Sequence, residues 1–392
     1  MSAPGLLLTP EAVRERSREL YALGLDGRLQ AWTLDPGRLD ATAALVAGVV
    51  RENYPDLAVP FHARWRHFLS RGHDRWGALR ARLPEDAAER ARAGFDLVIV
   101  SVLLDAGAGM AWRYREAATG AVLARSEGLA VASLAMFGAG AFAADGRSPR
   151  ADAARLATIG AADLEAGFQA GPENPLVGLE GRAALLRRLG ETLAAEGLDR
   201  PGALFDALAA QAAGGTLPAR EILITLLRRL GPIWPGRVVL EGVNLGDCWR
   251  HPGIRRADAT DGLIPFHKLS QWLAYSLIEP LQAAGIAVGG LEALTGLPEY
   301  RNGGLFLDMG VIRPRDPAAL AAEHAPGDVL VVEWRALAVA LLDAVAPLVR
   351  ERLGVAAEAF PLARVLEGGD LGGGAEAGGG VKGGWGGRRC GW

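Results

Sequence analysis

Between Asp152 and Ala213 apolar residues recur at helical spacing almost without a break, punctuated only by Asn174-Pro175, Gly181 and Pro201-Gly202. A stretch with that period must bury its stripe against other elements, so a mainly helical protein is the starting expectation. Arg182, Arg187 and Arg188 fall on its polar side. The pattern recurs elsewhere. Thr9-Pro10 joins an N-capping hydroxyl to a proline at the first helical position, opening an amphipathic helix that Gly24 should stop. Leu39–Val50 and Glu221–Leu230 read as further helices. Ile264–Glu279 is a long one, with Pro265 near its start and Pro280 expected to end it. Strand signals are short: Val238–Glu241, and Val329–Val332 running into a helix. The fold class expected is α+β, mainly α-helical with a few short strands.

The β-branched run Phe95–Asp105 also reads as a strand, and Ala-Gly-Ala-Gly109 follows it. A dinucleotide fingerprint would need a third glycine where Trp112 stands, so no nicotinamide or flavin site is expected. A hairpin carrying Asp105 and Trp112, turning at Thr119-Gly120, fits better, with a helix capped at Ser126 after it. In Pro60–Phe68, helical spacing would place His62, Trp65 and Arg66 on one face.

Half of the 392 residues are apolar and 22% are charged, enough for a sizeable core and unlike a disordered chain. At about 150 residues per domain the length suits two or three domains, or one unit of two lobes. We divide it into an N-terminal lobe with a strand hairpin (1–150), a helical catalytic lobe (151–368) and a glycine-dominated tail (369–392) that should be disordered. A net charge of −3 gives no basic field for nucleic acid or an anionic membrane. Cys248 and Cys390 are the two cysteines, which fits a reducing compartment. Charges arrive by Glu11, too early for a secretory segment, and no apolar run reaches membrane-spanning length, so a cytoplasmic protein is expected.

The chemistry narrows by elimination. Neither H-E-x-x-H, C-x-x-C, an EF-hand loop, G-x-S-x-G nor a Walker motif occurs, and His62, His67 and His73 are loosely spaced for zinc. No metal or cofactor is expected. There remain acids (Glu299, Asp308, Glu367, Asp105), bases (Lys268, Arg301, Arg66) and aromatics (Trp65, Trp272, Tyr300). The densest group lies in Leu297–Ile312: Pro298 restricts the backbone so that Glu299 should sit at a chain reversal beside Tyr300 and Arg301. Such an acid can grip hydroxyls or assist a leaving group, or it can be half of a helix-capping ion pair. Lys268, Gln271 and Tyr275 share a helix face, either a solvated edge or part of a site. The whole set suits hydrolysis through an oxocarbenium-like transition state, or the anchoring of a phosphoryl group.

Four stretches carry a resemblance: Asp96-Leu-Val-Ile-Val-Ser-Val-Leu-Leu-Asp-Ala-Gly-Ala-Gly109, Arg125-Ser-Glu-Gly-Leu-Ala-Val-Ala-Ser133, Pro265-Phe-His-Lys-Leu-Ser-Gln-Trp-Leu273 and Glu299-Tyr-Arg-Asn-Gly-Gly-Leu305. Together they resemble a family associated with uracil catabolism in fungi and bacteria, the fourth protein of the URC pathway, catalogued as a domain of unknown function. The likeness runs from about Thr9 to Glu367. Its pathway opens the uracil ring at the nucleotide level and releases urea by way of a ribosylurea-type intermediate. A more distant likeness is to the queuosine 5′-phosphate N-glycosidases, which implies a DNA-glycosylase-like helical core. Phe266-His-Lys-Leu-Ser-Gln-Trp-Leu273 is similar to that family's F-Y-K-R-A-Q-x-L, Leu297-Pro-Glu-Tyr-Arg301 to its F-A-D-Y-R, and Glu333-Trp-Arg-Ala-Leu-Ala338 to its E-I-R-G-C-S-L. Its catalytic Asp would fall on Glu367.

The resemblance implies a hydrolase that cleaves the C1′–N bond of a ribosylurea-like 5′-phosphate. Glu367 would be nucleophile or cation stabiliser, and Glu299 would hold ribose hydroxyls or the leaving group. Lys268 and Arg301 would anchor phosphate, with Gln271, Tyr300, His62, Trp65 and Asp105 lining the substrate site. The cleft is expected between the 260–310 region and the C-terminal acid. Both acids are Glu where the glycosidases have Asp, and Leu297 replaces the aromatic that stacks on the base, which suits a smaller ureido group. Other enzymes of uracil catabolism are the expected protein partners. Two alternatives stay open: a non-catalytic partner of the ring-opening enzyme, or a ureide or amide hydrolase. After Glu367 the family's usual T-W-A-A-G-R-K is missing, and a one-base frameshift would account for residues 369–377.

Overall fold

The computed structural model describes residues 2–369, so the readings placed on 370–392, including Cys390 and all but the first residue of the frameshift expectation, lie outside the described residues. Helices dominate, and the strands are two or three residues long and joined only in pairs. The protein is a mainly helical α+β fold. Its contacts divide into two compact units that interleave along the chain. One takes the chain up to His62, Gly236–Gln271 and the part from Leu291 onward; the other takes Ala63–Pro235 and Trp272–Gly290. The 150/151 boundary therefore falls inside the second unit.

In the first unit, helix Pro10–Leu25 starts where its local chemistry dictates: Thr9 Oγ1 accepts the Ala12 amide at 3.2 Å and Pro10 occupies the first turn. This helix and Leu39–Asn53 pack against the long helix Val329–Leu353. The run expected to begin as a strand at Val329 is helical from its first residue, and Val331–Leu342 is buried without a break. A helix buried all round has no polar stripe to reveal its period, so its β-branched start reads equally well as a strand. Strand Trp32–Leu34 pairs antiparallel with Ile312–Pro314, and Cys248–Arg250 with Leu263–Pro265.

In the second unit, Phe95–Leu103 belongs to the helix Ala87–Leu103, not to a strand. Asp86 caps that helix through the Glu89 amide (2.7 Å), and its far half is enclosed on every side. A hairpin forms from Tyr114–Arg115 and Val122–Leu123, but Asp105 and Trp112 lie before it, and the next helix starts at Arg125 with Ala124, not Ser126, at its N-cap. Arg182 is buried, not on a polar face; it turns inward and donates to the carbonyls of Leu104, Ala106 and Gly107 beyond the end of Ala87–Leu103.

Pro280 does not end its helix, which runs Lys268–Ala283. Proline offers no N–H to the carbonyl four residues back, and that carbonyl, Ser276 O, accepts the Trp65 indole N–H at 2.7 Å instead. The helix around Trp65 spans only Trp65–Phe68, so His62 does not share a helical face with Trp65 and Arg66. Among the described residues no helix is long and apolar enough to cross a membrane.

Candidate active site

The segments carrying Lys268 and Glu299 are tied together by a carboxylate that carries no local motif and by its arginine partner. Asp247 receives both terminal nitrogens of Arg335 (2.8 and 2.7 Å), the Trp249 indole N–H (2.6 Å) and the Lys268 amide (3.0 Å). Burial alone would raise its pKa, but the Arg335 charge and these hydrogen bonds outweigh burial and hold the carboxyl well below the usual range. Asp247 thereby caps the start of helix Lys268–Ala283 and fixes where the Lys268 backbone lies. The Arg335 guanidinium sits 4.3 Å from the Phe266 ring centroid, and its Nε reaches the carbonyl of Pro298 at 3.4 Å. One arginine on the long helix thus ties the Phe266–Lys268 segment to the residue before Glu299.

Glu299 is the extended N-cap residue of helix Tyr300–Asp308, at φ −122° and ψ 164°. Its carboxylate lies 3.8 Å from Lys268 Nζ, with both side chains partly open to solvent. Asn302 closes the turn from within by donating to Leu297 O at 2.9 Å. Gly303 lets this short helix approach the long one: a Cβ there would lie 2.2 Å from Trp334 Nε1. Tyr300 is half exposed, and Arg301 reaches back to its hydroxyl at 3.3 Å.

Gln271 lies one turn beyond Lys268 but is fully buried, its amide nitrogen donating to Thr295 Oγ1 at 2.6 Å. It holds the 291–299 segment from below, and Tyr275 is equally buried, so this helix face is not a solvated edge. His267 precedes the helix with φ at +50°, a conformation few non-glycine residues adopt. Its ring is buried, which lowers its pKa, and because a carbonyl can only accept, Nε2 carries the proton donated to Leu7 O at 2.9 Å.

Glu367 belongs to the short helix Leu362–Gly368. His62 Nδ1 meets its Oε2 at 2.9 Å, both side chains 14% exposed, and the His62 amide donates to Ala363 O at 3.0 Å. The helices carrying Glu367 and Glu299 both pack on Val329–Leu353. Glu333, two residues before Arg335 on that helix, is buried and accepts the amides of Gln30 and Ala31 (2.8 and 2.9 Å) and His251 Nε2 (3.2 Å).

The structure therefore places Glu299, Lys268, Gln271, Tyr300, Arg301, His62 and Glu367 in one unit. Trp65 and Asp105 belong to the other, and both are engaged there: Trp65 with Ser276 O, and Asp105 with the buried guanidinium of Arg64 at 2.7 Å. Sequence reasoning missed Asp247 and the role of Arg335. A signal existed, since Glu333 and Arg335 are two charges inside an apolar run, and buried charges require partners.

Residues 6–379 match the family described as a protein of unknown function, DUF1688. The chain belongs to that family. It is 38% identical over 375 residues to "Protein urg3" of Schizosaccharomyces pombe, covering 93% of this chain and 90% of the relative. It is also 33% identical over 389 residues to "Uracil catabolism protein 4" of Lachancea kluyveri, covering 87% of each.

Proposed function

We propose that this DUF1688 protein acts in uracil catabolism as a hydrolase that cleaves the N-glycosidic bond of a pyrimidine-derived ribonucleotide of the ribosylurea 5′-phosphate type. The name of the Lachancea relative supports the pathway. The chemistry rests on one observation above all: two part-buried carboxylates have different partners, Glu367 an imidazole, His62 Nδ1 at 2.9 Å, and Glu299 a cation, Lys268 Nζ at 3.8 Å. Two carboxylates with such different partners suit two different tasks. The His62 N–H orients Glu367, leaving a carboxylate oxygen to stabilise or attack C1′ as the C1′–N bond breaks. Glu299 holds ribose hydroxyls or the ureido group. Water supplies the hydroxyl that bonds to C1′ and the proton that leaves with nitrogen, giving ribose 5-phosphate and urea.

The test is incubation of the full chain with ribosylurea 5′-phosphate, measuring free urea and ammonia. Urea is expected, and Glu367→Gln should lower kcat by about 10²–10⁴-fold. Intact binding without urea would support a non-catalytic partner in the pathway instead. Ammonia in place of urea would support a ureide or amide hydrolase.

A further inference from the structure

The short helix that carries Glu367 also carries Arg364, one turn earlier, so the two side chains emerge on neighbouring positions. Arg364 is only partly exposed, and its Nε is buried without a hydrogen-bond partner among the described residues. Its guanidinium forms no ion pair among the described residues; what holds it is the ring of Phe61, whose centroid lies 5.6 Å away. Phe61 immediately precedes His62, so consecutive residues seat the guanidinium and the Glu367 carboxylate. The other cations of the site are engaged: Lys268 with Glu299, Arg301 with Tyr300 and Arg335 with Asp247.

A planar guanidinium held by an aromatic ring, with its donors uncommitted, is suited to grip a phosphate through two parallel hydrogen bonds. It also answers an electrostatic need. A phosphorylated sugar whose C1′ lies near Glu367 brings dianionic charge toward a carboxylate, and a cation one helical turn away offsets that repulsion.

We propose that Arg364, seated on Phe61, is the phosphate-binding residue of the Glu367 site and that the site takes a sugar 5-phosphate. The inference rests on the glycosidase reading for the place of Glu367 but is tested without turnover. Calorimetric titration of the full chain with ribose 5-phosphate should show binding that ribose lacks and that inorganic phosphate competes away. Arg364→Met keeps an apolar stem on Phe61 and should raise the Kd for ribose 5-phosphate about 10–100-fold, at unchanged circular dichroism. Arg364→Lys retains charge without the fork and should bind several-fold less tightly than the native chain. No binding by the native chain, or unchanged affinity in either folded variant, overturns the proposal. Arg364-dependent binding together with no urea release would leave this site standing and remove the glycosidase. Urea release with an Arg364→Met KM equal to that of the native chain would do the reverse.

Discussion

Asp247 and Arg335, 88 positions apart, form the pair on which the local geometry turns. The arginine side chain is only 6% exposed, so removing its partner leaves a buried charge uncompensated. Asp247→Asn should cost about 3–5 kcal/mol in urea denaturation. Asp247→Asn combined with Arg335→Met should cost less than the two singles summed, the mark of a coupled pair. The sign with pH follows from a carboxyl held below its ordinary range. The stability it contributes is complete above the ordinary carboxylate pKa of about 4 and is lost as pH falls below that value toward the depressed one. The native-minus-Asn stability difference should therefore be flat from pH 5 to 7 and shrink on acidification; a difference that grew toward acid would contradict the assignment. The part of the site visible in the sequence was the part with local causes. Pro298 restricts its neighbours and Glu299 does lie outside the helix, at its N-cap, whereas Asp247 has nothing beside it in the chain to mark its partner.

At the scale of elements, paired glycines separate packing from propensity. Gly303 and Gly304 occupy the same helix, yet a Cβ at 303 would collide with the Trp334 indole while one at 304 would meet nothing within 4 Å. Gly303→Ala should destabilise the protein by about 1–3 kcal/mol through overpacking. Gly304→Ala should be neutral or stabilise it by up to about 1 kcal/mol, since alanine is the better helix former. Thermal denaturation of both variants checks this, and similar shifts in the two would mean that Trp334 does not press on the backbone at 303. Helix starts were legible at Thr9 because a cap is a contact between near neighbours. Phe95–Leu103 and the first turn of Val329–Leu353 were not, because burial on all sides erases the period that tells helix from strand.

At the scale of the whole molecule, interleaving sets what can fold alone. No composition change marks residues 62/63, 235/236, 271/272 or 290/291, where the chain passes between units, so a linear reading divides it consecutively. The second unit depends on its late segment: within it Ser276 O accepts from Trp65, Glu279 pairs with Arg66 at 2.6 Å, and Ala287–Gly289 pairs in parallel with Thr216–Pro218. A fragment of residues 63–235 keeps Trp65 and Arg66 but loses both of these partners, and it leaves Thr216–Pro218 without its neighbour strand. Losing that hydrogen bond and that ion pair, together with the apolar surface the segment covers, removes several kcal/mol, comparable with the ~5–15 kcal/mol margin of a typical domain. That fragment should unfold without a sharp transition, whereas residues 63–290, which restore the segment, should unfold cooperatively. Near-ultraviolet circular dichroism during a urea titration distinguishes the two, because Trp65 reports its own enclosure. A cooperative transition in 63–235 would mean that the early helices carry this unit without the segment that returns to them.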